Sequence, residues 1–489
     1  MAKTSKEIIK QRNILISQIK EYCPIIKPFF DLDVKLKDYS EYLYDFEVDP
    51  IHSQRQVVIK DKIINKLKSL FGNKFEKELN VNFENKLVFN IANHHQVMNH
   101  PFLVSANVIG NTDRLLQSKK QEAIIVLSSG DVPPNNYFSK NGFMLHGKKV
   151  PLFSNSEKEL TSYYIPKREF DFINRLKKSD KWKEFNDQEH KFLLNEQEKI
   201  NSFDFSQCQN YNDQISVIVK ETWPYLFEEK LRKNLPDVLY VTQEEITTEC
   251  LIDLLEEDNI ISKCIFNKEF RNKVLQNFND LVVTWNEKEQ KGTHFFWQKY
   301  PGRNQSLRMY IKGNNLVPAD VRFKNNIIPL TKDAIIGALK KREIYPSLFM
   351  IFGVLNFYAG IKPLVGYGSL LYLDLIKKGW LKTLEEFKMD EEIKLMEQVK
   401  TDGFTAGLAI FFKQFENKTR ALYANDIFYE NGIKEDYLKR VFEMSFGEVL
   451  SIGAADVYDY YSQKYIPKDK RIKAEINFDD LAEITLPWL

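Results

Sequence analysis

Long hydrophobic runs are missing from this chain. The most apolar stretch, residues 347–361, is shorter than the roughly 20 residues needed to cross a bilayer and is interrupted by Gly353, Asn356 and Gly360, so it reads as a buried helix. Cysteine is scarce too, with four in 489 residues. Cys23, Cys208, Cys250 and Cys264 are scattered and form no CxxC pair, which argues against a disulfide framework and a thiolate zinc knuckle. Neither sign of charge dominates: 70 basic and 68 acidic residues leave a formal charge of +2, which gives no general reason to expect nucleic acid or an anionic membrane as partner. Residues 1–20 lack the apolar core and small-residue cleavage site of a secretory signal, so the expected setting is cytoplasmic and reducing, without a membrane. Also missing are a GxSxG elbow, a kinase signature, a P-loop, a full GxGxxG and the Ser–His–Asp order, which removes several familiar enzyme classes.

What is present is a chain that should fold throughout, 43% hydrophobic and 13% aromatic, and long enough for roughly two to four domains. Residues 4–22 and 58–80 carry apolar side chains at helical spacing. Then the pattern changes. Residues 87–92 are a short apolar run, 101–116 a helix opened by Pro101, and 123–127 an apolar run with a β-branched centre, which together predict a parallel βαβ unit. Residues 143–153, around Gly147, predict an appended hairpin. A charged helical arm is expected over 167–233, a strand at 237–242 with a helix at 243–257, and two or three antiparallel strands within 281–329. Helices dominate after 331, with breaks at Pro346, 362–368 and 403–407. The expected fold is α/β, a parallel βαβ-based, Rossmann-like core with helical insertions and a largely helical C-terminal region. Its divisions are a helical region (1–85), the βαβ core with its hairpin (86–166), a helical insertion (167–235), the rest of the core with antiparallel strands (236–330) and the helical region 331–489.

Three of the seven histidines fall between the first strand and Pro101, where Asn93, His94, His95, Gln96, Asn99 and His100 form a dense polar loop. Loops at the carboxyl ends of parallel strands are the usual ligand positions, and helix amino termini there favour anions. Helix capping would use the same residue types. A metal site is less favoured, because adjacent histidines point apart and neither HExxH nor HxH occurs. A phosphate or carboxylate held by these residues, with an imidazole as general acid and binding that strengthens as pH falls from about 7 to 6, fits better. The next strand runs into Ser129, Gly130 and Asp131, where Gly130 permits close backbone approach and Asp131 offers a carboxylate. Further binding candidates are His294 and Arg303 in an aromatic stretch, and Gly366, Gly368 and Ser369 ahead of a helix, where free N–H groups can cradle an anion. Basic and aromatic residues alternate over 291–312 as on a single-strand nucleic-acid platform, a less favoured reading in a neutral protein.

The polar loop bearing Gln96, the helix opened by Pro101 and the strand ending in acidic SSGDVPPNN resemble the bacillithiol cysteine-adding enzymes. The resemblance covers mainly residues 87–153, with an echo at 236–242. It implies a nucleotide-binding-like α/β core with helical insertions, joining of cysteine to a sugar-linked malate, and binding roles for Gln96 and Asp131. The leading expectation is therefore an intracellular ligase or transferase acting on a nucleotide or a phosphorylated or carboxylated small molecule, with ATP or another nucleotide as cofactor ahead of a metal. His94, His95, His100 and Asp131 would line one cleft. The alternative is a noncatalytic ligand- or nucleic-acid-binding protein.

Overall fold

Five short strands form one all-parallel sheet: β1 (Val88–Asn90), β2 (Ile124–Ser128), β3 (Val238–Thr242), β4 (Lys362–Gly366) and β5 (Gly403–Ala406). The computed structural model describes residues 3–75, 87–116, 123–415 and 418–489. β2 and β3 are buried along their whole length. That is why their sequences are continuous apolar runs: both faces of a parallel sheet are covered by helices. β2 and β3 run in register from Ile124 opposite Val238 to Ser128 opposite Thr242. β1 is central, pairing with β2 through Asn90 and Val126 and with β4 from Val88–Lys362 to Asn90–Leu364.

The helices that matter for the site are α1 (Pro101–Ile109), α2 (Tyr211–Thr222), α3 (Gln243–Leu254), α4 (Tyr367–Glu386) and α5 (Ala454–Tyr465). α1 packs on β5, α2 on β3, and α4 on β4 and β5. The sheet order is β3-β2-β1-β4-β5. The chain thus starts in the middle, builds outward through β2 and β3, then returns to the other side of β1. The strand order reverses between β1 and β4, and loops leaving their carboxyl ends diverge there to leave a crevice.

The expected βαβ unit is present, with β1 and β2 parallel and α1 between them in sequence. The hairpin is also found, pairing Gly142–Leu145 with Lys148–Pro151. The helical reading of 58–80 is met by Pro50–Phe71, while residues 76–80 lie outside the described residues. Three expectations change. The helix breaks at 362–368 and 403–407 contain β4 and β5, two strands of the main sheet. The charged arm at 167–233 contains α2, whose side chains are almost all buried against the sheet. Among the described residues the antiparallel sheet has five strands, in the order Ile328–Pro329, Asn315–Pro318, Ser306–Lys312, Phe296–Lys299, Ile344–Pro346, the last recruited from beyond 329, and Trp285–Asn286 pairs separately with Lys291–Gly292. Residues 347–361 are buried, as helix Leu348–Phe352 and the wider π-helical turn Gly353–Tyr358. Among the described residues, no helix is long and apolar enough to cross a membrane.

Candidate functional site

A cavity of about 790 Å³ opens where the strand order reverses. Its walls come from the loops after β1 (Ala92, His94) and β2 (Ser129, Asp131, Phe138), the first turn of α3 (Glu244), the start of α4 (Gly366 to Ser369) and α5 (Asp456, Asp459, Tyr460). These segments are distant in sequence and are brought together because parallel strands deliver all their following loops to one edge.

His94 is the histidine that reaches this cavity. Its Nδ1 lies 3.0 Å from Asn136 Oδ1, an oxygen that also accepts the backbone N–H groups of Phe138 and Ser139, so Nδ1 carries the proton and donates. Nε2 makes no hydrogen bond to a described residue and is left as an acceptor. Burial pushes the imidazole down to about 4, partly opposed by the Asn136 contact, and the ring is neutral at pH 7.

Asp131 and Glu244 form the second element of the site. Glu244 is fully buried and its Oε2 accepts the Gly130 N–H at 2.7 Å. Burial and the neighbouring Asp131 raise Glu244 well above the carboxylate range, so Glu244 keeps its proton beside the Asp131 carboxylate. Asp131 is itself raised by burial, and Tyr345 lies near it. Tyr345 is in turn 2.7 Å from Ser306 Oγ. The two neighbouring carboxyls thus keep a proton where, among the described residues, no lysine or arginine lines the cavity. On the opposite wall Asp456 is pushed up to about 6 by burial and by Asp459 and Asp479, and its Oδ2 makes no hydrogen bond.

The structure therefore brings His94, Asp131, Ser129, Gly366, Gly368 and Ser369 to one cavity, and it places the other expected residues elsewhere. His95 is fully buried between β2 and α2, with Nε2 donating to the Asn212 carbonyl at 2.7 Å and Nδ1 2.7 Å from Ser128 Oγ. His100 caps α1, its Nδ1 accepting the Phe102 N–H at 3.3 Å. Asn93 joins a buried network with Asn90, Asn107 and the Tyr240 hydroxyl. Gln96 is held by Ser162 and Tyr211 at 2.7 Å each, and Asn99 bridges Phe138 and Met144. These side chains secure the loop from beneath. The close sequence cluster separates because neighbouring residues of an extended segment point to opposite sides. Burial also puts His95 at about 4 and His100 at about 3. The expected gain in anion binding between pH 7 and 6 has no titrating imidazole in this loop to produce it.

Ser129 Oγ accepts from Gln243 at 2.5 Å, and Gly130 is irreplaceable on steric grounds: a Cβ there would lie 2.5 Å from Thr242 Cγ2. His294 sits apart on the antiparallel sheet, accepting the Ile311 N–H at 2.9 Å, and Arg303 is exposed with its guanidinium 5.4 Å from the Tyr300 ring centre. Glu244, Tyr345 and Asp456 were not singled out from the sequence. Glu244 had one visible signal, as an acid in the first turn of the helix after β3. Among the described residues, no group of three or more His, Cys, Asp or Glu side chains is placed to hold a metal ion. An anionic group in the cavity has one receptor, the amino end of α4, where Gly366 to Ser369 line the wall and no side chain caps the helix. Comparison with models of known protein families and with curated proteins gives no match.

Proposed function

We propose that the chain is a cytoplasmic enzyme with a Rossmann-like core, a ligase or transferase that acts on a nucleotide or a phosphorylated or carboxylated small molecule in the cavity beside β1 and β4. The observation that carries this reading is the neighbouring Asp131 and Glu244 carboxyls that both line that cavity, with Glu244 held by the Gly130 N–H. A carboxyl pair whose proton affinity is raised by burial is suited to accept a proton from an attacking amine or hydroxyl. His94, at about 4, is too weakly basic to compete for that proton at pH 7, so its role is to accept a hydrogen bond at Nε2 and orient the nucleophile. The anionic part of the ligand lies on the amino end of α4, which borders Asp456 and Asp459 of α5.

The resemblance to the bacillithiol cysteine-adding enzymes supports an amide-forming ligase in particular. Of the two residues that carry it, Asp131 faces the cavity, whereas Gln96 has both side-chain ends engaged by Ser162 and Tyr211. The test is a thermal-shift screen of nucleotides, amino acids, sugar phosphates and small carboxylates, followed by titration of each hit on His94→Gln and Asp131→Asn. The expected result is loss of binding or turnover in both variants with the fold retained. Hits that bind both variants as well as the parent chain overturn the assignment of this cavity.

A further inference from the structure

Asp131 faces two cavities. Besides the one described above it borders a second, of about 1070 Å³, between segment 131–133, segment 159–161 and one face of the antiparallel sheet. The strand register builds that face: Tyr345 stands opposite Trp297, and Trp297 opposite Arg308. Directly paired residues project to the same side of a sheet, so the three side chains form one row, and all three line the cavity.

Arg308 makes no ion pair or hydrogen bond through its side chain to any described residue. Of the other charged residues on this lining, Asp320 is held by Arg322 at 3.0 Å, Lys291 by Glu289 at 2.6 Å, and Glu159 accepts from Asn135 at 2.9 Å, while Asp131 lies beside Glu244. A partly buried guanidinium facing a cavity with its donors free is poised for an oxyanion, which it can grip through two parallel N–H bonds. Beside it, the indole of Trp297 is partly buried against Tyr163, Tyr164 and Tyr345 and lines the cavity. Tyr345 and Asp131 both border this cavity.

We infer that this second cavity binds a mononucleotide-sized ligand, its phosphate on Arg308 and its ring against Trp297. This deepens the proposed function, on which it rests for the role of Asp131: the phosphorylated ligand would occupy the far side of Asp131 from the cavity at the α4 amino end. Binding is measurable without turnover, so the two readings can fail separately.

Calorimetric titration of the full chain with AMP, adenosine and inorganic phosphate tests it. AMP should bind about tenfold or more tighter than either fragment, and Arg308→Gln should weaken AMP by about tenfold or more while leaving adenosine unchanged. Trp297→Phe should abolish the AMP-induced change in tryptophan fluorescence. Arg308 has no partner to lose, so its variant should melt with the parent chain, which a thermal scan checks. AMP affinity unchanged in Arg308→Gln overturns the inference, as does AMP affinity lost in His94→Gln but kept in Arg308→Gln, which would put the ligand in the other cavity. AMP binding no tighter than phosphate overturns the role of the ring.

Discussion

The Asp131 and Glu244 carboxyls, carried by the loop after β2 and the first turn of α3, are neighbours at the wall of a cavity that no lysine or arginine lines among the described residues. Two carboxylates cannot both ionise at such a distance without strong repulsion, and the raised proton affinity of Glu244 resolves the conflict by keeping one proton in the pair.

Replacing Glu244 by glutamine keeps a donor toward Asp131 and removes the titration. A carboxyl raised in the folded state stabilises the fold below its unfolded value and loses that contribution as pH rises toward the folded one. Denaturant unfolding between pH 5 and 9 should show stability falling with pH in the parent chain and a flatter profile in Glu244→Gln. Identical profiles would mean that the pair does not hold a proton.

His95→Ala should be strongly destabilising, by about 2 to 4 kcal/mol, because it removes both partners' bonds and opens a hole between β2 and α2. His94→Ala should cost less, about 1 to 2 kcal/mol, since it loses one hydrogen bond, to Asn136, and leaves no second protein partner unpaired at Nε2, while reducing ligand binding. Chemical denaturation of the two variants checks the order. Equal losses would show that the cavity histidine is as structural as its neighbour.

Burial holds His94 and His95 at about 4 and His100 at about 3, below the usual 6.5. The sign follows from proton uptake. The unfolded chain takes up protons below about 6.5 and the folded chain only near 4, so each histidine's contribution is present above 6.5 and is lost as pH falls toward 4, by at most about 1.4 kcal/mol per pH unit. This opposes the Glu244 slope. Imidazole NMR signals from all three should therefore stay neutral from pH 8 down to about 5.5, and a midpoint near 6.5 for any of them would refute its burial.

Gly130→Ala should destabilise by about 1 to 3 kcal/mol, because the new methyl would meet Thr242 Cγ2 at 2.5 Å and Asn212 Nδ2 at 2.8 Å. The displacement also moves the Gly130 N–H away from Glu244. A thermal melt of the variant measures the loss, and an unchanged midpoint would show that the turn can relax without strain.

Local chemistry by itself determined the elements whose signal is contained in a few consecutive residues. The apolar runs of β1 and β2, Pro101 at the first position of α1 and Gly147 in the hairpin each state their structure without reference to the rest of the chain. β4 and β5 do not. Lys362, Pro363 and Gly366 in one, and Gly403 in the other, are poor strand formers, and these segments become strands because β1 offers β4 an edge to pair with and β4 offers one to β5. The polar loop 93–100 was visible as a candidate site, but which of its side chains faces a ligand was decided by where α2, Ser128 and Asn136 lie. His95 and His94 differ in role because one meets the Asn212 carbonyl and the other an open cavity. Glu244, Tyr345 and Asp456 joined the site for the same reason: no spacing rule connects them to Asp131, and only the parallel sheet, which sends its loops to one edge, sets Glu244 and Asp456 around one cavity while the antiparallel sheet beside it sets Tyr345 on the other, with Asp131 bordering both.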